Sequence, residues 1–381
     1  TAYADSAVSP VIDCEYFQDV KLNFYRWLNV DIFDKAYIHT SSNGGENWQE
    51  LWESPGFVTD GEWKLKSYDI NDIAYRNPEV KIRYSLGPTN NINDYTGWNI
   101  DNIIVTGDYI STDVGVSNWL KPLDGCGHTN SEDVQVVVNN YGGDPINEPI
   151  PVYYSLDGGE TKVRDTIYQN IPVGDSITHT FSTKADLTDP GWYENIKTAT
   201  TLSSDEVDSN NEYNHELFIT PTYQPPYTEN FENGYGYYLE HGDSSTWEHG
   251  IPQNTSIDTA YSGSHAWITG KSSNYKNNDS SYLETPCFDF SNMRNPIFEF
   301  QLWNIMEEEK DGLALYYSVD DGENWNIVPK NGDYDWNWYN SENIEALGTA
   351  GWDTSTGTGC LTTGQPSFHS TGVMQISRPS R

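Results

Sequence analysis

Short runs in which apolar and polar residues alternate fill this chain, and Gly, Pro, Asn or Asp end each run after about 8 to 12 residues. Asp133 to Gly142 (DVQVVVNNYG) and Ser176 to Thr183 (SITHTFST) are examples. A two-residue period buries one face of a strand and leaves the other in water. No stretch keeps a 3.6-residue apolar period for three turns, so helices are not expected to build the core. With 381 residues, the chain is long enough for two to four domains that each bury their own core. The expected class is all-β, as tandem β-sandwiches.

An internal repeat refines this. Ser9 to Trp27 (SPVIDCEYFQDVKLNFYRW) lies without a gap over Thr285 to Trp303 (TPCFDFSNMRNPIFEFQLW), an offset of 276, with Ser9 against Thr285. Pro10/Pro286, Asp13/Asp289 and Trp27/Trp303 are identical, and Leu22/Phe298 and Phe24/Phe300 keep the alternation. One residue of slippage later, Asp34 to Trp48 lies over Asp311 to Trp325 and shares the ending Gly-Glu-Asn-Trp. Two copies of one domain therefore flank a different central unit.

Within the second copy, YSVDDGENW (Tyr317 to Trp325) carries Ser318, Asp320, Gly322 and Trp325 at the spacing of the Asp box of sialidase propellers. Propeller blades would repeat such boxes every 40–50 residues or so, and here they do not. A hairpin explains the residues better: Gly supplies a positive φ, the Asp or Asn bonds the turn amides, and the Trp folds back over the corner. A third version, Tyr154 to Lys162 (YYSLDGGETK), lacks the Trp.

The segments FENG, WEHGIP, SGSHAWITG, LETPCFDFS, SVDDGENW and GWNIDNIIV resemble MAM-like jelly-roll domains of large secreted bacterial surface proteins, including substrates of the type IX export system. The central stretch from Asp113 resembles CARDB-type immunoglobulin-like modules. The resemblance implies the order jelly roll, Ig-like, jelly roll: residues 1–110 as the carboxy-terminal part of one jelly roll, 111–220 as the Ig-like sandwich, 221–353 as the amino-terminal part of a second, and 354–381 as an irregular tail. Boundaries are expected near Ile110 to Thr112 and in the Pro-rich Thr220 to Asn230, a stiff spacer by composition. The tail lacks acidic residues and alternation and reads as a truncated or out-of-frame end. No leader peptide opens the chain at Thr1, so an exported protein would have lost it or carry it elsewhere. The resemblance also implies a structural calcium in such jelly rolls, which points to Glu232 in one copy and Asp101 in the other as metal ligands.

Nothing in the sequence calls for catalysis within the chain. His215 to Ile219 (HELFI) starts like HExxH but ends in Ile219, and GKS at Gly270 lacks the earlier glycine of a P-loop. His241, His249 and His265 cluster loosely and are expected to pack in strands and turns. Acidic residues outnumber basic ones 57 to 20, a net charge of −37, which excludes nucleic acid as a partner. No apolar run reaches membrane-spanning length. The four cysteines, Cys14, Cys126, Cys287 and Cys360, are far apart, so neither a zinc site nor a disulfide framework is expected.

Aromatic residues make up 14% of the chain, which raises carbohydrate binding through ring stacking. Asp333 to Asn340 (DYDWNWYN) offers Trp336, Trp338 and Tyr339 as ligand-binding candidates, with two rings buried against the sheet as the structural alternative. The expected function is a noncatalytic adhesive or stalk segment of a secreted or cell-surface bacterial protein. Its partners would be glycans or proteins, and strand exchange could occur between copies at unpaired edges. The alternative is an accessory region of a secreted protease or polysaccharide hydrolase.

Overall fold

A computed structural model describes residues 5–89, 95–293, 298–320, 322–328, 339–353, 362–364 and 373–377. The protein is all-β, built as tandem β-sandwiches. It divides into two compact units, one of residues 1–121, 134–183 and 195–215, the other of residues 122–133, 184–194 and 216–381.

In the first unit the strand Phe17–Val30 is the organising element. Val20, Leu22, Phe24, Arg26, Leu28 and Val30 are buried, and the residues between them reach water, as a two-residue period requires. It pairs on one side with Lys64–Asp69 and Val58–Thr59 and on the other with Gly97–Tyr109. Asn77–Leu86 pairs with Asp5–Val8, Ile12–Cys14 and Ala36–Ser41, and Ala36–Ser41 pairs with Gln49–Glu53. Leu22 and Phe24 meet Ile38, Ile82 and Tyr84 in the core between the two sheets.

Arg26 falls on the inward side and is 6% exposed. Its guanidinium donates twice to Asp60, at 3.0 and 3.3 Å, and the same carboxylate accepts the Leu28 N–H at 2.9 Å. The buried charge is thus paired and hydrogen-bonded, the condition for tolerating it inside.

The same unit continues through a three-stranded sheet of Val114–Lys121, Gln135–Asn140 and Ser176–Thr180. Ile150–Ser155 pairs with Val163–Ile167 and, through Val152 to Ser155, with Lys197 to Thr200. The expected boundary at Ile110 to Thr112 is packed. Ile110 is fully buried and its carbonyl accepts the Gly143 N–H at 3.0 Å. A Cβ at Gly142 would lie 2.5 Å from the Ser111 carbonyl oxygen, so only glycine fits there. Arg76 pairs with the fully buried Asp113 and donates to the Tyr141 carbonyl at 2.9 Å, while Asn210 donates to Asp113 at 2.7 Å. Glu206 accepts the Ser111 and Thr112 amides at 3.1 and 3.2 Å and so ties down this corner.

In the second unit, Gly125–Cys126 runs parallel to the end of Glu212–Thr220, with Cys126 opposite Thr220. Thr222–Tyr223 runs parallel to Cys287–Asp289, with Thr222 opposite Cys287. A disulfide joins Cys126 to Cys287 across 161 positions of sequence. This corrects the expectation that spacing along the chain argues against a disulfide: separation in sequence says nothing about which strands the fold brings together. Cys14 is buried and free. The Pro-rich segment is likewise not a bare spacer, because the rings of Tyr223 and Tyr227 meet at a tilt with centroids 4.7 Å apart and Tyr227 meets Phe288 edge-on at 5.1 Å.

Phe288, Phe290, Ala314, Val328, Tyr339, Ile344, Leu347 and Trp352 form the core of this unit. Among its described residues the tail, expected to be irregular, contributes two strands. Thr362–Gly364 pairs with Phe300–Leu302, and Val373–Ser377 pairs with Cys287–Asp289 and Tyr316–Ser318. An open strand edge accepts any extended backbone, whatever its side-chain pattern.

Candidate functional site

The Asp-box-like motif occurs three times with one hydrogen-bond pattern. In the second copy Ser318 Oγ donates to Asp320 Oδ1 at 2.7 Å and accepts the Gly322 N–H at 2.9 Å, while Asp320 accepts the Asn324 N–H at 2.9 Å. Ser155, Asp157, Gly159 and Thr161 repeat the three bonds at 2.6, 2.8 and 2.8 Å. Ser41, Asn43, Gly45 and Asn47 repeat them at 2.9 Å each. Gly45, Gly159 and Gly322 have φ of 98°, 99° and 84°, which a side chain would disfavour. The three serines are 0 to 2% exposed.

An uncharged Asn43 fills the carboxylate position in one copy, so the motif does not require an acid. Bonds from Ser155 and Thr161 hold Asp157 down at about 2, and bonds from Asn324 and Ser318 lower Asp320. General acid catalysis near neutral pH needs the opposite shift. These groups shape corners. Trp48 covers its corner and lies under Arg83, with the guanidinium carbon 4.4 Å from the ring centroid.

Glu232, a residue expected to bind calcium, instead clamps the loop before Ala266–Thr269. Its oxygens accept the His265 N–H at 2.6 Å, the Ser264 N–H at 2.8 Å and the Ser264 hydroxyl at 3.0 Å. The His265 and Ser264 amides hold this carboxyl at about 2. A calcium shell needs six to eight converging oxygens, whereas Glu232 faces donors, so its surroundings do not fit that ion. Asp101 accepts the N–H of Asn102 at 2.7 Å, where Asn102 has φ 51° and the strand bulges against Phe17–Val30. Among the described residues no group of three His, Cys, Asp or Glu side chains is arranged to hold a metal ion.

His249 and His265 stack at 5.6 Å, and the His249 ring nitrogen meets the Phe231 carbonyl at 2.9 Å. His241 stacks on Tyr282 at 4.9 Å, with burial lowering its pKa. His215 lies in a strand and stacks on Trp119 at 5.5 Å.

Of the three aromatic candidates, Trp336 and Trp338 lie outside the described residues. Tyr339 is 8% exposed, its hydroxyl accepts the Leu315 N–H at 3.1 Å, and its ring meets Trp352 edge-on at 4.6 Å. It has no open face for a sugar and serves as core. Among the described residues no helix is long and apolar enough to cross a membrane.

No family model matches the chain. Over 111 residues it is 24% identical to Bacillopeptidase F of Bacillus subtilis (strain 168), covering 29% of this chain and 8% of that protein's length. Among solved structures, the glycoside hydrolase domain of Endo-D from Streptococcus pneumoniae R6 is 14% identical, covers 54% of this chain and 30% of that one, and gives a TM-score of 0.17. A beta-glucuronidase of Bacteroides uniformis is 9% identical, covers 56% and 26%, and gives 0.19. Likeness at these scores carries no weight for fold or function.

Proposed function

We infer that the chain is a noncatalytic adhesive or stalk segment of a larger exported bacterial surface protein. One observation carries this reading. The carboxylates of the Asp-box-like motif are bonded within their own turns in both acidic copies, and an asparagine serves in the third. The Cys126–Cys287 disulfide supports export, because such bonds persist in oxidising compartments. The net charge of −37 suits a soluble, self-repelling surface and disfavours polyanionic ligands. The order jelly roll, Ig-like, jelly roll follows the resemblance of the motifs. Calcium at Asp101 and Glu232 is not part of the reading, since the Ser264 and His265 amides engage Glu232 and the Asn102 amide engages Asp101.

The test is turnover. The purified chain should hydrolyse no member of a panel of glycans and peptides. Hydrolysis that Asp320→Asn abolishes would overturn the reading. The match to Bacillopeptidase F favours a second reading, an accessory region of a larger protease or polysaccharide hydrolase. A catalytic domain encoded in the same reading frame would favour that one, and further β repeats would favour the stalk.

A further inference from the structure

The outward side of Phe17–Val30 presents Asn23, Tyr25, Trp27 and Asn29, an uncharged strip of two rings between two amides. On a surface strand of so acidic a chain, charged residues would be the ordinary occupants of such positions. The strip continues across the sheet. Tyr25, 38% exposed, lies opposite Leu65, 59% exposed, and opposite Asp101 on the other flank. Trp63, 43% exposed, meets Trp27 edge-on at 6.1 Å. The amides are held in place: Asn23 donates to Thr106 at 3.4 Å and Asn29 to Thr96 at 2.8 Å.

The internal repeat separates scaffold from the rest. Trp27 is matched by Trp303 and so belongs to the shared architecture, whereas Asn23 and Tyr25 are replaced by Glu299 and Gln301. The sandwich can therefore be built without them. Exposed rings beside fixed amides and a carboxylate are the chemistry that recognises sugars, stacking against C–H faces and bonding hydroxyls. From Asn23 to Asn29 the strand rises roughly 20 Å, room for several linked rings. The four strand residues carry no charge, the carboxylate opposite Tyr25 is Asp101, and the chain's net charge repels acidic polymers, so the complementary ligand is neutral.

We propose that the Asn23–Asn29 face of this sheet binds a neutral oligosaccharide, with Tyr25 and Trp63 as stacking platforms and Asn23 and Asp101 as hydroxyl partners. This rests on the noncatalytic binding reading and gives it a place. The test is calorimetry and tryptophan fluorescence of the whole chain with neutral hexasaccharides of glucose, mannose and xylose. Binding of at least one is expected, weakened roughly tenfold by Tyr25→Ala or Trp63→Ala. Tyr168→Ala, at a ring 79% exposed elsewhere, should leave it unchanged. Near-UV dichroism checks that each variant is folded.

Binding that survives both ring variants would refute this site but leave a glycan-binding segment standing. Binding to no neutral hexasaccharide, or only to acidic ones, would refute the ligand class and leave the noncatalytic stalk untouched. Self-association in light scattering that Tyr25→Ala abolishes would make the face a protein interface and overturn the proposal.

Discussion

Removing the Cys126–Cys287 bond tests how the second unit is held. The two sulfurs close a loop of 161 positions. Loop-closure entropy for that length is about 17 cal/mol/K, or ~5 kcal/mol at 25 °C, of destabilisation lifted from the unfolded chain. Residues 134–183 and 195–215 within the loop belong to the other compact unit. If that unit stays folded while this one opens, the effective loop is shorter, so the expected loss is ~2–5 kcal/mol. The effect should also be local. Thr220 pairs with Cys126, Thr222 pairs with Cys287, and the Cys287 N–H donates to the Pro221 carbonyl at 3.1 Å. Both strands that flank Pro221 are therefore tied to the bond.

The assay is guanidinium unfolding of the oxidised chain, the reduced chain and the Cys126→Ser/Cys287→Ser variant, followed by tryptophan fluorescence, with limited proteolysis of each. The reduced chain and the variant should unfold at a lower midpoint and become cleavable between Thr220 and Pro226. Alkylation under denaturing conditions should label two more thiols after reduction than before. Equal midpoints for all three forms, or equal labelling, would refute the reasoning.

Three further outcomes follow from the geometry. Asp60→Ala strands the buried Arg26 guanidinium and should cost about 3–5 kcal/mol, measured by chemical unfolding; a loss under about 1 kcal/mol would mean water reaches that charge. Ser155→Ala removes the acceptor of the Gly159 N–H inside a buried corner and should cost about 1–3 kcal/mol, with Ser318→Ala matching it if the turns are equivalent. Glu232 and Asp157 have folded pKa values near 2, below their unfolded values of about 4.3 and 3.9. Their stabilisation is therefore complete above those unfolded values and is lost as pH falls towards 2. Glu232→Gln should flatten thermal stability between about pH 4.5 and 2, and an unchanged acid profile would show that the Ser264–His265 clamp does not favour the ionised form.

The residue order by itself determined whatever depends on neighbours a few positions apart. Alternation makes Phe17–Val30 a strand with Leu22 and Phe24 inward, and the Ser-x-Asx-x-Gly spacing makes three corners, because each bond spans no more than four residues. The same local rules made the fold class all-β and the Asp-box-like motif a turn. Tertiary structure alone decided the rest. It put Cys126 beside Cys287, gave the inward Arg26 its partner Asp60, sank Tyr339 into a core against Trp352, and gave Glu232 its donors from Ser264 and His265. Each of these contacts joins residues from 13 to 161 positions apart. Strand periodicity says which way a side chain points, but not which strand will face it.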